Sequence, residues 1–166
     1  MRINNIELNL VEDSRKKASL NGNSLPSQRT IEGKFSLDRS PMFSAPISTE
    51  MSAFVLGCDE PSVLGGQGIQ PTPLTYLLFG VMSCFASTLA MQCALDGIKL
   101  DDLSLTGTLY YDLGPVVTGE SMPIIRKMEF LVHSSASLES EIEKAKKRCP
   151  AVFAMENPIQ THIRQS

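Results

Sequence analysis

Four cysteines are the residues of this sequence with the clearest capacity for chemistry. A cysteine thiolate is a nucleophile, a metal ligand and a redox centre, and its surroundings set its reactivity. No two of the four form a CxxC pair, and the two histidines, His133 and His162, lie late in the chain. Because the spacing typical of zinc ligands is absent, we expect no metal site and no cofactor. The thiols to be interpreted are those of Cys58, Cys84, Cys93 and Cys149.

Cys84 and Cys93 share the charge-free stretch Gly80–Ala94, GVMSCFASTLAMQCA. The stretch belongs to a helix predicted from Leu74 to Asp96. Nine helical residues turn by about 180° in net orientation and advance by about 13 Å, so the two side chains lie on opposite faces. A disulfide between them is excluded by that distance. Cys93 is interpreted as a buried packing residue, whereas the small and hydroxylic neighbours of Cys84 leave both an inert and a reactive thiol open.

Cys149 and Cys58 have charged neighbours of opposite sign. Three cations at positions 146–148 precede Cys149, and Pro150 follows it, which makes Cys149 the predicted N-cap of a helix. Both features stabilise a thiolate, but the end of the preceding helix acts in the opposite direction. The sequence therefore leaves the sign of its pKa shift open. Cys58 precedes Asp59 and is interpreted as structural or incidental.

A membrane span is one possible interpretation of the long apolar helix. About 34 Å of helix matches the thickness of a bilayer. Against this interpretation stand the hydroxyl and amide side chains within the run and the absence of a flanking Lys/Arg cluster or aromatic belt. We favour a helix buried in the centre of a domain or of a dimer, and expect no membrane partner.

The composition is that of an ordinary globular protein. The 166 residues are 42% hydrophobic and 20% charged, with a formal net charge of −3, so nothing in the charge favours nucleic acid as a partner. The first residues contain no apolar run of signal-peptide length, which predicts a cytoplasmic protein with reduced thiols. Residues 1–28 are polar and are predicted to be an N-terminal extension with a short strand in IELNLV.

The remaining elements predict an α+β fold rather than a doubly wound one. Short segments in residues 30–57 indicate a β-meander, and the Gly/Pro-rich residues 59–73 indicate a loop. After the long helix, alternating patterns predict strands over 102–111 and 124–133. A helix that starts at the serines of 134–137 then leads to Cys149 and a second helix, and the chain ends with a predicted strand over 159–163.

Three segments of the chain resemble the OsmC/Ohr family of thiol peroxidases and organic hydroperoxide resistance proteins. They are DEPSVLGGQGIQPTPLTYLLFGVMSCFASTL at 59–89, LDGIKLDDLSLTGTLYYDLG at 95–114 and KKRCPAVFAMENPI at 146–159. The resemblance implies that residues 29–166 form an OsmC-like domain, with two sheets wrapped around long central helices in an intertwined homodimer. In this frame Cys84 matches the peroxidatic cysteine and Cys149 the resolving cysteine. Cys58 and Cys93 match neither.

The resemblance also implies a reaction and its partners. An organic hydroperoxide would oxidise Cys84 to a sulfenic acid, which Cys149 would resolve as a disulfide. An external dithiol, lipoyl or thioredoxin-like, would then reduce that disulfide. Family peroxidases stabilise the thiolate with an arginine, for which Arg39 is the best-placed candidate and Arg29 the second.

One departure from the family pattern motivates a different function. The family arginine is held by a glutamate near the start of the long helix, and Leu74 stands where that glutamate is expected. The alternative is therefore a non-peroxidatic OsmC-like protein that binds a small apolar or thiol-bearing ligand in the interfacial pocket. A third interpretation is an interaction protein with inert cysteines.

Overall fold

The computed structural model describes residues 1–165 and has an α+β fold. The chain divides into two compact units. The first contains Met1–Leu25, Phe79–Thr108 and the chain from Met128 onward, and the second contains Pro26–Leu78 and Leu109–Lys127. The long helix and two later strands pass from one unit into the other.

The first unit begins with a small hairpin. Strands β1 (Arg2–Ile3) and β2 (Ile6–Glu7) pair antiparallel, and helix α1 (Leu8–Leu20) follows directly. The predicted strand in IELNLV thus ends at Glu7. Helix α1 was not predicted because it buries no residue and shows no clear apolar stripe.

Asn4 bonds this hairpin to residues 98–100. Its φ of 51° lies in the left-handed region that asparagine tolerates. The Asn4 amide donates to the carbonyl of Ile98 at 2.8 Å and accepts from the N–H of Leu100 at 2.8 Å. The N-terminal segment therefore makes specific contacts in the first unit, while its assignment as an extension separate from residues 29–166 stays a prediction.

The second unit contains the predicted meander. Strands β3 (Lys34–Phe35), β4 (Phe43–Ser48) and β5 (Ala53–Cys58) form an antiparallel sheet in that order. The register between β4 and β5 runs from Phe43 opposite Cys58 to Ser48 opposite Ala53. Thr49 closes the hairpin by bonding to Ser52.

The Gly/Pro-rich segment after β5 is a loop, as predicted, with one short 3-10 turn at Ser62–Leu64. Gly65 ends this turn with a φ of +82°. At Gly66 an added Cβ would lie 1.9 Å from the carbonyl oxygen of Glu60, so only glycine fits. The GG pair is thus explained by the conformation of the loop.

Helix α2 (Pro73–Leu95) confirms the predicted long helix to within one residue at each end. Gly97, with a φ of +74°, ends it, and the N–H of Ile98 donates to the carbonyl of Cys93 at 2.8 Å. By length and composition α2 could also cross a membrane. Only 22% of its most apolar 18-residue window is buried within the chain.

The strands after α2 agree with the sequence pattern. Strands β6 (Ser104–Tyr111) and β7 (Ile125–His133) form a two-stranded sheet. The turn region between them contains a short helix that was not predicted, α3 (Gly114–Thr118), ended by Gly119 at a φ of +77°.

Two helices complete the first unit, α4 (Glu139–Arg148) and α5 (Pro150–Glu156). Helix α4 starts later than predicted because two of the serines are used elsewhere. Ser134 and Ser135 bond to the backbone and side chain of Asp102. After α5 the predicted strand over 159–163 is wrong: these residues have no regular structure, and Ile159 and Ile163 are 65% and 92% exposed.

The core of the first unit joins α2 to α4. The ring of Phe85 stacks on that of Phe130 with centroids 5.9 Å apart. The buried cluster contains both a thiol from α2 and the thiol that follows α4. Its members are Phe85, Leu89, Cys93, Leu138, Ala145 and Cys149.

Candidate functional site

The structure brings Cys84 and Cys149 together. Their sulfur atoms lie 3.6 Å apart, within hydrogen-bond distance, although the two residues are 65 positions apart in the chain. Both thiols are free. Cys84 is half-buried on α2, and Cys149 is fully buried. The pair is therefore close enough to form a disulfide after a small local movement, and its catalytic roles stay predictions.

The position of Cys149 follows from the proline after it. Pro150 disfavours the helical conformation in the preceding residue, and Cys149 adopts φ −75° and ψ 115°. Cys149 thereby ends α4 and begins α5, as predicted from the sequence. Its N–H donates to the carbonyl of Ala145 and its carbonyl accepts from the N–H of Phe153, both at 2.9 Å. Both backbone groups of Cys149 are therefore hydrogen-bonded, and its side chain lies at the junction of the two helices.

The environment of Cys84 favours its protonated form. Burial raises the pKa of the Cys84 thiol, the backbone N–H of Ala151 acts in the lowering direction, and the thiol of Cys149 raises the pKa further. Ala151 lies in the first turn of α5, where backbone N–H groups have no partner in the helix. The same turn that follows Cys149 therefore supplies a donor to the sulfur of Cys84.

Two of the three cations before Cys149 are directed to other partners. Lys146 pairs with Glu156 at 3.3 Å, and Arg148 donates to the side-chain carbonyl of Gln92 at 2.5 Å. Lys147 is exposed. The structure thus gives Lys146 and Arg148 partners other than the sulfur of Cys149.

The residues considered for thiolate activation lie in the second unit. Arg39 is exposed in the loop between β3 and β4, and Arg29 is exposed in a segment without regular structure. Leu74 is half-buried as the second residue of α2. The role of either arginine stays a prediction.

Cys58 and Cys93 have surroundings that disfavour reactivity. Cys93 is fully buried in the core, which confirms its interpretation as a packing residue. Burial raises the pKa of the Cys93 thiol, and Glu141 and Asp96 raise it further. The pKa of the Cys58 thiol is raised by burial and then by Glu60 and Asp59.

The first unit also contains an apolar cavity that the sequence did not predict. Its volume is about 630 Å³, and the Lys146–Glu156 ion pair provides its charged groups. Its apolar lining comes from α2, β7, α4 and α5. The lining includes Val81, Phe85, Phe130, Val132, Ile142, Val152 and Met155. No three His, Cys, Asp or Glu side chains within residues 1–165 are grouped to hold a metal ion.

The raised pKa gives a prediction for pH dependence. Because the thiolate is the nucleophile, alkylation of Cys84 by iodoacetamide should accelerate about tenfold per pH unit between pH 6 and pH 8. Peptide mapping after timed quenching would give the rate at Cys84 itself, with N-acetylcysteine as the reference thiol. A rate that is independent of pH in this range would show that the thiolate is already formed, and would contradict the prediction.

Comparison with known proteins agrees with the fold. The structure is similar to an organic hydroperoxide resistance protein OsmC from Legionella pneumophila, with 21% identity, a TM-score of 0.58, and coverage of 78% of this chain and 91% of that one. It is similar to an OsmC like protein from Mycoplasma pneumoniae, with 19% identity, a TM-score of 0.58, and coverage of 81% and 91%. An organic hydroperoxide resistance protein from Elizabethkingia anophelis has 19% identity, a TM-score of 0.55, and coverage of 82% and 94%.

These similarities are too low in identity to establish more than the fold. A comparison with curated protein sequences gave no match. The family model described as OsmC-like protein matches residues 65–164, which include both Cys84 and Cys149. The chain therefore belongs to the OsmC-like protein family.

Proposed function

We propose that this protein is a thiol-dependent peroxidase that reduces organic hydroperoxides through Cys84 and Cys149. The observation that carries the proposal is the 3.6 Å distance between two free thiols that are remote in sequence. Membership of the OsmC-like family and the fold shared with proteins named for organic hydroperoxide resistance support it.

The proposed reaction has two steps on the protein. The Cys84 thiolate attacks the terminal peroxide oxygen, the O–O bond breaks, and the alkoxide leaves and takes a proton to become an alcohol. The sulfur of Cys84, now a sulfenic acid, is oxidised by two electrons. Cys149 then attacks that sulfur, and the products are a Cys84–Cys149 disulfide and water.

The two steps place different demands on the site. For the first, the N–H of Ala151 is a donor to the Cys84 sulfur and so favours the charged nucleophile. For the second, the sulfur atoms must approach from 3.6 Å to about 2.05 Å. Cys149 lies between two helices rather than inside one, which lets this approach occur without distortion of a helix interior.

The proposal includes a homodimer, a dithiol reductant and a cytoplasmic location. Only 22% of the most apolar window of α2 is buried within one chain, and Phe43, Phe54 and Val55 of the β4–β5 hairpin are at least 40% exposed. Association of two chains would cover such surfaces. An external dithiol, lipoyl or thioredoxin-like, would reduce the disulfide and release the two thiols.

Disulfide mapping tests the proposal most directly. Reduced protein would receive one equivalent of an alkyl hydroperoxide, be alkylated and digested, and be analysed by mass spectrometry. We expect a Cys84–Cys149 disulfide and one equivalent of alcohol. Oxidation of neither cysteine, or a disulfide that involves Cys58 or Cys93 instead, would refute the proposal.

A second candidate function rests on two other observations. The pKa of Cys84 is raised, and an apolar cavity of about 630 Å³ lies in the same unit. A non-peroxidatic protein that binds a small apolar or thiol-bearing ligand would use such features. It predicts that ligand-induced thermal stabilisation survives in the Cys84→Ser/Cys149→Ser double variant, whereas loss of that response would refute it.

A further inference from the structure

A polar network links the two helices that carry the thiol pair. Arg148, the last residue of α4, donates to the side-chain carbonyl of Gln92 on α2 at 2.5 Å. The amide nitrogen of Gln92 donates to Asp96 at 2.7 Å, and Lys144 donates to the same carboxylate at 2.9 Å. Lys144 also pairs with the buried Glu141 at 3.7 Å. The Gln92 amide thus joins one cation to one carboxylate, and Lys144 extends the network to a second carboxylate.

Gln92 has a fixed orientation in this network. The residue is 3% exposed, and its side chain has a donor on one side and an acceptor on the other. Turning the amide over would place its nitrogen against the guanidinium and its oxygen against the carboxylate, which satisfies neither contact. The side-chain oxygen of Gln92 therefore faces Arg148 and accepts its hydrogen bond.

The bond is made by the residue that directly precedes Cys149 in the chain. Arg148 immediately precedes Cys149, and Gln92 lies two helical turns after Cys84 on the same helix. One charge-assisted hydrogen bond thus joins the end of α4, where Cys149 leaves the helix, to the helix that carries Cys84. Without it, the side-chain oxygen of Gln92 would lose its protein donor, and the end of α4 would lose this polar attachment to α2.

We infer that Arg148, through its hydrogen bond to Gln92, is a positioning residue for disulfide closure between Cys84 and Cys149. It contacts neither sulfur in the structure and acts by holding the Cys149 thiol within reach of Cys84. The inference rests on the proposed function for its role in turnover, but the geometry it describes can be measured without any peroxide.

The measurement is the equilibrium of the thiol pair with glutathione. The two thiols and one glutathione disulfide exchange to give the protein disulfide and two glutathione thiols, so atoms and electrons balance. The fraction of protein disulfide across a series of glutathione buffers gives an equilibrium constant that reports how well the two thiols are positioned. For Arg148→Met we expect this constant to fall about tenfold, the size expected for loss of one charge-assisted hydrogen bond.

The neighbouring lysine provides the matched control. Lys147→Met removes the same charge from the same helical turn, and Lys147 is exposed. We expect its equilibrium constant to stay within about twofold of the wild type. Thermal unfolding of each variant would establish that all are folded at the temperature used, so that a loss of stability alone does not change the constant.

A double-variant cycle tests whether Arg148 acts through Gln92. Gln92→Met should lower the constant at least as much as Arg148→Met, and the double variant should fall no further than Gln92→Met. If Arg148→Met does not fold, Gln92→Met alone measures the same bond from its other partner. The inference is overturned if Arg148→Met matches the wild type, if Lys147→Met falls as far, or if the two losses simply add.

The outcomes separate this inference from the proposed function. Wild-type protein that closes the disulfide in glutathione buffer but consumes no hydroperoxide would refute the function and leave the positioning role standing. If the wild type has peroxidase activity but Arg148→Met leaves the equilibrium constant with glutathione unchanged, the positioning role is refuted and the proposed function stands.

Discussion

Replacement of Cys84 by serine should reduce hydroperoxide consumption to the rate measured without protein. A serine hydroxyl cannot be oxidised by two electrons to the equivalent of a sulfenic acid, so the first step has no substitute on the protein. The sulfur of Cys149 is fully buried and is a poor replacement, because the peroxide must reach it. The measurement is loss of an alkyl hydroperoxide in the presence of a dithiol, followed over time.

The control for this experiment is Cys58→Ser. Cys58 belongs to the second unit and is not a member of the Cys84–Cys149 thiol pair, so its loss should leave the consumption rate unchanged. Consumption by Cys84→Ser at the wild-type rate would show that another group reacts with the peroxide, and the proposed function would then be wrong.

Replacement of Cys149 by serine should leave the first oxidation intact and block the second step. The Cys84 sulfenic acid then has no thiol at 3.6 Å with which to condense. After one equivalent of hydroperoxide, trapping by dimedone should label most of the Cys84, about tenfold more than in the wild type. Excess hydroperoxide should convert the unresolved sulfenic acid to a sulfinic acid, which adds two oxygen atoms to the peptide containing Cys84.

Cys58→Ser again serves as the comparison, since it retains both members of the thiol pair. It should form the disulfide and give as little dimedone adduct as the wild type. A Cys149→Ser protein that gives no more adduct than the wild type would mean that some other thiol resolves Cys84. The stability of Cys149→Ser would be measured in parallel, because this side chain belongs to the buried core.

Much of the fold follows from the sequence pattern because periodicity reports local structure. The long apolar run flanked by Pro73 and Gly97 predicts α2 almost to the residue, and the alternating strands after it predict β6 and β7. The helix pair around Cys149 and Pro150 follows from proline chemistry. These elements are specified by residues close to them in the chain.

The elements that were missed depend on contacts or on weak local signals. Helix α1 has no fully buried residue and no clear apolar stripe for a sequence pattern to detect. The serines before α4 resemble helix caps, but Asp102 engages two of them from 32 and 33 residues away. The alternation at 159–163 suits a strand, yet no partner strand lies beside it among the described residues.

The candidate site likewise has some features that the sequence predicts and others that it does not. Helical geometry separates Cys84 from Cys93 without any knowledge of the fold, and the structure agrees. The pairing of Cys84 with Cys149 comes only from the family resemblance, because a separation of 65 positions in the chain carries no distance information. The bond between Arg148 and Gln92 was not predicted either, since a cation near a cysteine is naturally interpreted as acting on the thiol itself.

The contacts of Asn4 have a practical consequence for work on fragments of this protein. A recombinant fragment that starts at residue 29 would lack the one side chain that bonds both the carbonyl of Ile98 and the N–H of Leu100. Each unpaired group in such a partly buried position costs on the order of 1 kcal/mol. Activity lost from that fragment would therefore say nothing about the reacting thiols, and expression boundaries and affinity tags should leave the first residues in place.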